Sequence, residues 1–284
     1  MSLIPDYLLI GHMTADLTPD GRLPGGTVSY ATRTAAAFGL RVALLTSAAA
    51  GDPLLDSLKP YGEIVSIAAA ETTTYENIYT PSGRVQYVRG VAAPIGAADL
   101  PAHFLGAPLV HIAPIADEVD PQIAHTFRDS TVLLTLQGWL RRWDADGRVH
   151  FKRWYDPDVL QSIDIVVFSE EDIVESRQME REFAGSVKHL FVTRAEKGGT
   201  YYYHGEAIDY TTPQVELVNP TGAGDVFAAS LLASLPALDQ DVRAAIRVAA
   251  RLGATSVTRY LLDGAPTSSE VQTALAEAKV ETSS

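Results

Sequence analysis

The chain has 284 residues, 46% hydrophobic and 20% charged, a composition typical of a folded globular protein with a sizeable core. Its 35 acidic residues outnumber the 22 basic ones, and the net charge of -13 disfavours nucleic acid and anionic membranes as partners. The absence of cysteine excludes disulfides and thiolate sites, and with neither a signal-peptide pattern nor a long apolar run we expect a cytoplasmic protein.

Apolar runs that indicate strands alternate along the chain with segments that indicate helices. The predicted strands are Tyr7–Gly11, Arg41–Thr46, Ile64–Ala69, Leu109–Ala113, Val132–Thr135, Ile163–Phe168 and His189–Thr193. The predicted helices are Thr27–Phe38, Pro53–Lys59, Pro121–Arg128, Glu170–Phe183, Ala223–Leu235, Asp239–Val257 and Ser268–Ala278. This alternation predicts an α/β fold in one domain, 1–284, with a mainly parallel sheet covered on both faces. His12, just after the first strand, is a candidate pocket residue.

The segment 72–89 interrupts the alternation. Tyr75, Ile78 and Tyr79 precede the turn Pro81-Ser82-Gly83-Arg84, and further β-formers follow it, which predicts a β-hairpin with a polar face. Such a hairpin is either a lid over a site or an edge hairpin with no active role. It also leaves open a homodimer in which two hairpins pair.

The strongest local signal is the run Asn219-Pro220-Thr221-Gly222-Ala223-Gly224-Asp225, which opens an apolar helix. Small residues let a ligand approach the backbone, and amides at a helix N-terminus favour bound negative charge. Asp225 would then accept a proton from an attacking hydroxyl beside that anion site. The run equally fits tight helix packing, with Asp225 as a simple cap.

This run resembles the D-T-x-G-A-G-D signature of the ribokinase-like (PfkB) carbohydrate kinases, and the resemblance extends along nearly the whole chain. The other matching segments, in chain order, are Asp16 with Gly25-Gly26, Phe168–Asp172, Thr193–Gly198, and Val242–Val257 followed by Gly264-Ala265. The resemblance implies a three-layer α/β/α domain with a small β lid. It also implies phosphoryl transfer from ATP with Mg²⁺ to an alcohol.

The resemblance also implies a role for each matched residue. The catalytic group would be Asp225 as general base, with the amides of Gly222, Ala223 and Gly224 as anion hole. The acceptor would contact Asp16, Gly25 and Gly26. The nucleotide side would comprise Ser169, Asp172, Thr193, Arg194, Gly198 and Asn219, and no residue is assigned as a direct metal ligand.

Several positions depart from the family pattern. Asn219 replaces an aspartate that helps many relatives hold a monovalent cation, so a requirement for potassium stays open. Ser169 replaces an asparagine, Asp172 a glutamate and Ala195 a glycine, while Tyr30 stands where sugar-specific relatives often carry an asparagine. Since none of these changes touches Asp225 or the Gly-Ala-Gly amides, we expect an active enzyme.

The run from Gly25 to Tyr30 and the stretch from Gln137 to Asp144 are similar to plant-type myo-inositol kinases. Gln137 and Arg141 follow a central strand and would bind the polyol or the phosphate. We therefore expect a kinase for a sugar or cyclic polyol, with myo-inositol as the leading acceptor. Two alternatives stay open. One is a nucleoside kinase that uses the tyrosines of the hairpin, and the other is a ligand-binding relative without turnover.

Overall fold

The computed structural model describes residues 3–19, 21–80 and 83–282. Its strands are β1 (Tyr7–Ile10), β2 (Thr14–Thr18), β3 (Gly21–Gly25), β4 (Val42–Ala49), β5 (Gly62–Ala69), β6 (Thr74–Thr80), β7 (Gly83–Gly90), β8 (Leu109–Ile112), β9 (Thr131–Thr135), β10 (Arg141–Trp143), β11 (Val149–Phe151), β12 (Ile165–Ser169), β13 (His189–Thr193), β14 (Gly199–Tyr203) and β15 (Glu206–Tyr210). Its α-helices are α1 (Thr27–Ala37), α2 (Pro157–Leu160), α3 (Met179–Ala184), α4 (Ala223–Ser234), α5 (Val242–Ser256) and α6 (Ser268–Thr282).

Nine strands form the central sheet in the order β15-β14-β13-β12-β9-β8-β1-β4-β5. Every pairing from β5 across to β13 is parallel, and β14 and β15 add an antiparallel edge. The central strands are mostly apolar because both faces of the sheet are covered. The predicted mainly parallel α/β sheet is therefore confirmed, with the unpredicted hairpin β14–β15 at its edge.

Alternate side chains of each central strand enter two different cores. Leu9 of β1 packs with α1, α4, α5 and α6 on one face. Leu8 packs on the other face with Trp139 and with Phe183 of α3. Helix α4 is apolar on all sides because it lies between the sheet, α1 and α5. Along the described part of the chain, no helix has the length and apolar character needed to cross a membrane.

A second sheet stands apart from the first, in the order β3-β2-β6-β7. Strands β6 and β7 pair antiparallel over the predicted hairpin, although its turn residues Pro81 and Ser82 lie outside the described residues. Strand β6 also pairs parallel with β2, and β2 and β3 form a hairpin of their own. The sheet is therefore twice the size that the sequence predicted.

The prediction of one helix over Glu170–Phe183 is wrong, because only α3 is α-helical there. The Asp172 carboxylate accepts the Ser169 N–H at 2.9 Å, and the Ser169 hydroxyl accepts the Glu171 N–H at 3.2 Å. Short polar side chains that bond to nearby backbone favour a turn over a helix. The segments Pro53–Ser57 and Pro121–Thr126, predicted as helices, are 3₁₀-helical.

Candidate active site

The residues singled out in the sequence follow the carboxyl ends of the central strands or belong to the turn before α4. Asp16 follows β1, Gln137 follows β9, Asp172 follows β12, and Arg194 follows β13. The carboxyl ends of parallel strands share one edge of the sheet, where α/β proteins place their ligands. The fold therefore collects these residues at one edge.

The turn before α4 has a defined local geometry. The Asn219 side chain accepts the Thr221 N–H at 3.0 Å, and Gly222 follows in the left-handed conformation, with φ 86°. Glycine adopts that conformation without strain, and its carbonyl accepts the first helical bond from Val226 at 2.8 Å. This arrangement starts the helix sharply after an exposed loop.

The first-turn amides of α4 have no acceptor inside the helix. The Ala223 N–H makes a long bond of 3.3 Å to the Pro220 carbonyl, so it is partly engaged. The Gly224 backbone faces open space, because a side chain added there would meet no atom within 4 Å. An anion can therefore approach this backbone closely on the Gly224 side.

The Asp225 carboxylate lies half-buried in the same turn, and the Thr27 hydroxyl donates a hydrogen bond of 2.8 Å to its Oδ1. Burial raises the pKa of Asp225 to about 6. The Thr27 hydrogen bond and the Arg141 charge oppose this pKa rise, whereas the charges of Asp172 and Asp16 add to it. Side chains from four separate parts of the chain thus act on Asp225, which is more basic than an ordinary carboxylate yet mostly ionised at neutral pH.

Asp16 and the paired glycines lie together on the acceptor side of this edge. A Cβ atom at Gly25 would fall 2.3 Å from the Asp16 carboxylate, so only glycine lets the two segments approach. Thr14 donates to the same carboxylate at 3.0 Å. Gly26 caps α1, whose first residue is Thr27. The predicted acceptor residues Asp16, Gly25 and Gly26 are therefore adjacent. Thr27, the next residue in the chain, binds Asp225.

Arg141 is fixed at the start of β10. Its Nη1 donates to the Ile115 carbonyl at 3.0 Å, and the Tyr75 hydroxyl donates to the same oxygen at 2.6 Å. The guanidinium lies 5.4 Å from the centre of the Tyr75 ring. Arg141 and Gln137 also line a cleft of about 220 Å³ together with Asp172. The two residues that the sequence placed after a central strand therefore share one cleft.

Arg194 and Gly198 have clear structural partners on the predicted nucleotide side. The Arg194 guanidinium contacts the Glu180 carboxylate at 2.5 Å and the Glu170 carboxylate at 3.7 Å. Two carboxylates therefore offset the charge of Arg194. Its ion pair with Glu180 links the end of β13 to α3. Gly198 is buried in the turn between β13 and β14, while Thr193 ends β13 half-buried.

The structure adds residues that sequence reasoning missed. Thr27 is one, and its position directly after the glycine pair was the available signal. Tyr30, which the sequence marked only as a departure from the family pattern, is 2% exposed, and its ring would lie 2.2 Å from a Cβ at Gly222. Burial raises the pKa of Tyr30 above its usual range, and the charges of Asp225 and Asp16 raise that pKa further. Tyr30 therefore packs directly against the turn that starts α4.

Two buried polar residues support the floor of the site. The Glu118 carboxylate, 4% exposed, accepts backbone N–H groups of Ile115 and Ala116 at 2.9 and 2.6 Å, and of His12 at 2.9 Å. No pattern in the sequence pointed to Glu118. The His12 ring is fully buried between the Thr73 hydroxyl and the Ala93 carbonyl, so its candidacy as a pocket residue is wrong.

Comparison with known proteins agrees with this geometry. Residues 158–268 match the pfkB family of carbohydrate kinases. The cytidine kinase of Thermococcus kodakarensis is 27% identical over 251 residues, 80% of this chain and 87% of that protein. A pyrophosphate-dependent ribokinase-family kinase, complexed with a pyrophosphate analog and myo-inositol, has a TM-score of 0.78 at 20% identity, over 94% of this chain and 99% of that one. Ribokinase of Arabidopsis thaliana, complexed with ribose and ATP, has a TM-score of 0.74 at 17% identity, over 96% and 99% of the two chains.

The structural likeness shows a shared fold, and the sequence matches identify the class of enzyme. The chain therefore has the ribokinase fold, matches the pfkB carbohydrate kinase family over residues 158–268, and is a phosphotransferase that acts on a hydroxyl group.

Proposed function

We propose that this protein phosphorylates a hydroxyl of a small cyclic polyol or sugar with ATP as donor, and that myo-inositol is the leading acceptor. The observation that carries the proposal is the half-buried Asp225 carboxylate, which is held through one oxygen by Thr27 and lies beside the first-turn amides of α4. A base and an anion site in one turn are what phosphoryl transfer to an alcohol requires.

In this mechanism the free oxygen of Asp225 accepts the proton of the substrate hydroxyl. The hydroxyl oxygen attacks the γ-phosphorus, the bond from that phosphorus to the bridging oxygen breaks, and ADP leaves. The Gly222, Ala223 and Gly224 amides stabilise the charge on the transferred group. With a pKa of about 6, roughly nine-tenths of Asp225 is ionised at neutral pH.

A polyol acceptor is supported by the chemistry of the acceptor side. Asp16 accepts hydrogen bonds and Arg141 donates them, so the two suit a ring with several hydroxyls. Tyr75 is 3% exposed and its ring is close to the Arg141 guanidinium, which leaves little aromatic face for a nucleobase. The side chain of Tyr79, the other tyrosine considered for such stacking, lies outside the described residues.

A nucleoside acceptor is the second candidate, because the cytidine kinase relative matches most of this chain. The plant-type motif similarity and a neighbouring fold that binds myo-inositol support the polyol. A ligand-binding relative without turnover is disfavoured, because Asp225 and the amides beside it are intact.

ATP is favoured over pyrophosphate because the charges near the donor side are balanced. Pyrophosphate is compact and highly charged, so it needs several unpaired cations, whereas Arg194 is already offset by two carboxylates. The exposed apolar residues Val215, Leu217 and Val218 precede the turn of Asn219 and would suit an adenine ring.

Magnesium would reach this site with the donor. Among the described residues, no group of three or more histidine or acidic side chains could hold a metal ion. Mg²⁺ would be held mainly through phosphate oxygens and water, and there it would offset the charge of the transferred group. Because Asn219 carries no charge and its oxygen already accepts the Thr221 amide, we expect no potassium activation.

We also propose that the sheet β3-β2-β6-β7 acts as a lid. It carries both Asp16 and Tyr75, so closure of this sheet would bring acceptor-binding groups toward Asp225.

A donor and acceptor panel tests the proposal. ATP or pyrophosphate is combined with myo-inositol, ribose, fructose or cytidine, and the phosphorylated product is identified by mass spectrometry. We expect ATP with myo-inositol to give the highest kcat/KM, and Asp16→Asn to raise the KM for the acceptor but not for ATP. A preference for cytidine would select the second candidate, and turnover with pyrophosphate alone would refute the proposed donor.

A further inference from the structure

A second cavity, of about 520 Å³, lies at the edge of the sheet opposite the candidate active site. Its lining includes Thr131, Ile165 and His189, which are the first residues of β9, β12 and β13. The candidate active-site residues follow the other ends of the same strands, so the two cavities are separated by the length of the sheet. A volume of this size suits a small organic ligand.

Two cations line this cavity without an ionic partner. Lys188 and Arg243 form no ion pair within the described ranges, in contrast to Arg194 at the other edge. The carboxylates of the same wall are turned toward backbone amides. Asp164 accepts the Val132 N–H at 2.9 Å, and Asp241 accepts two first-turn amides of α5 at 2.9 and 3.1 Å. The lining therefore carries two cations and two carboxylates, and the carboxylates are engaged by backbone amides while no ion pair is described for the cations.

A buried histidine contributes an unused polar atom to the wall. His189 is 8% exposed, and its Nδ1 lies 2.8 Å from the Tyr201 hydroxyl. Burial lowers the pKa of His189 to about 4 and raises the pKa of Tyr201 to about 12, so both are neutral at physiological pH. With the Tyr201 hydroxyl as donor, the His189 proton sits on Nε2, which has no partner among the described residues.

The cavity also offers a flat surface. The Tyr203 ring is 43% exposed and stacks on His189 with 5.3 Å between ring centres and 29° between planes. Apolar side chains of Ile208 and Leu235 complete the lining. An aromatic face beside unpaired cations suits a planar ring that bears an anionic group.

We propose that this cavity is a second ligand site, for a small planar anion such as an aromatic ring with a phosphate or carboxylate group. Lys188 and Arg243 bind the anionic group, Tyr203 stacks on the ring, and His189 Nε2 donates a hydrogen bond. Leu235 directly follows α4, the helix whose first turn carries Asp225, so a bound ligand contacts the far end of that helix.

Pyridoxal 5′-phosphate is a suitable probe because it combines a planar ring, a phosphate and an aldehyde. The aldehyde condenses with a lysine amine with loss of water, borohydride reduces the imine to a stable amine, and peptide mass spectrometry locates the product. The chain has few competing sites, since its lysines are Lys59, Lys152, Lys188, Lys197 and Lys279.

We expect Lys188 to be labelled at the lowest probe concentration. Arg243→Ala and Tyr203→Ala should each reduce this labelling by roughly fivefold, the effect of one lost ion pair or stacking contact. Lys59, which is exposed and paired with Asp56, is the internal control and should label equally in all variants. A saturating concentration of myo-inositol, which has neither an aromatic ring nor an anionic group, should leave the labelling of Lys188 unchanged.

Labelling of Lys188 no faster than that of Lys59 would overturn the proposal. Labelling of Lys188 that both substitutions leave unchanged would also overturn it, because the lysine would then react without a binding site. Circular dichroism of Arg243→Ala and Tyr203→Ala, both at exposed positions, establishes that the comparison is made between folded proteins.

Discussion

The hydrogen bond from Thr27 to Asp225 sets how basic the proposed catalytic carboxylate is. Thr27→Val removes the hydroxyl that donates at 2.8 Å and keeps the size of the side chain. Because Thr27 is fully buried at the first position of α1, the substitution leaves no room for a water molecule to replace the bond. The protonation of Asp225 is then the main property that changes.

The size of the change follows from general magnitudes. A hydrogen bond to a charged group contributes about 1.5–3 kcal/mol, and one pKa unit corresponds to about 1.4 kcal/mol. The pKa of Asp225 should therefore rise from about 6 by about 1–2 units. At pH 7 the ionised fraction would fall by about 2- to 10-fold, and at pH 5 by about 10- to 100-fold.

The assay is kcat/KM for the acceptor as a function of pH, because its acid limb reports the pKa of the base in the free enzyme. In Thr27→Val the acid limb should move upward by about 1–2 units while the plateau above pH 9 stays close to that of the wild type. Thr27→Ser keeps the hydroxyl and should restore the wild-type profile. An acid limb that does not move, or an equal loss of activity at every pH, would refute this account of Asp225.

Three further predictions concern neighbouring residues. Gly224→Ala should fold normally, because its side chain would meet no atom within 4 Å, yet lose about 10²-fold or more in kcat; full activity would contradict an anion site there. Asp225→Asn should raise Tm more at pH 8 than at pH 5, because a carboxyl group whose folded pKa is raised to about 6 costs stability increasingly between its ordinary pKa and about 6, and fully above that. Arg194→Met removes the ion pair with Glu180, so it should lower Tm by about 2–4 °C and change the KM for ATP by less than about 2-fold. An unchanged Tm with a large rise in the KM for ATP would instead assign Arg194 to nucleotide binding.

Regular elements of the fold could be predicted because their signals are local. Apolar runs such as Leu109–Ala113 and His189–Thr193 are buried on both faces of a sheet, and such strands carry no polar alternation. The hairpin β2–β3 was not predicted, although the sequence contains a turn signal at this point. Pro19-Asp20-Gly21 between two short runs is a turn sequence, although Asp20 itself lies outside the described residues.

The candidate site was only partly predictable because its parts converge in space. The Gly-Ala-Gly-Asp run identified Asp225, yet Thr27 is 198 residues away in the chain and reaches it only through the packing of α1 against α4. Glu118 and His12 are residues whose burial the sequence could not predict. Both are polar, and their burial depends on partners in distant loops that no local pattern specifies.

The role of Asp225 as the base is the central claim, and ADP release in the presence of the best acceptor tests it most directly. Asp225→Asn keeps the shape of the side chain but cannot accept the proton, so kcat should fall by about 10²–10⁴-fold. Asp158→Asn, at an exposed carboxylate in the first turn of α2, is the matched control and should keep full activity. An Asp225→Asn variant that retains kcat within about 3-fold of the wild type would contradict the account.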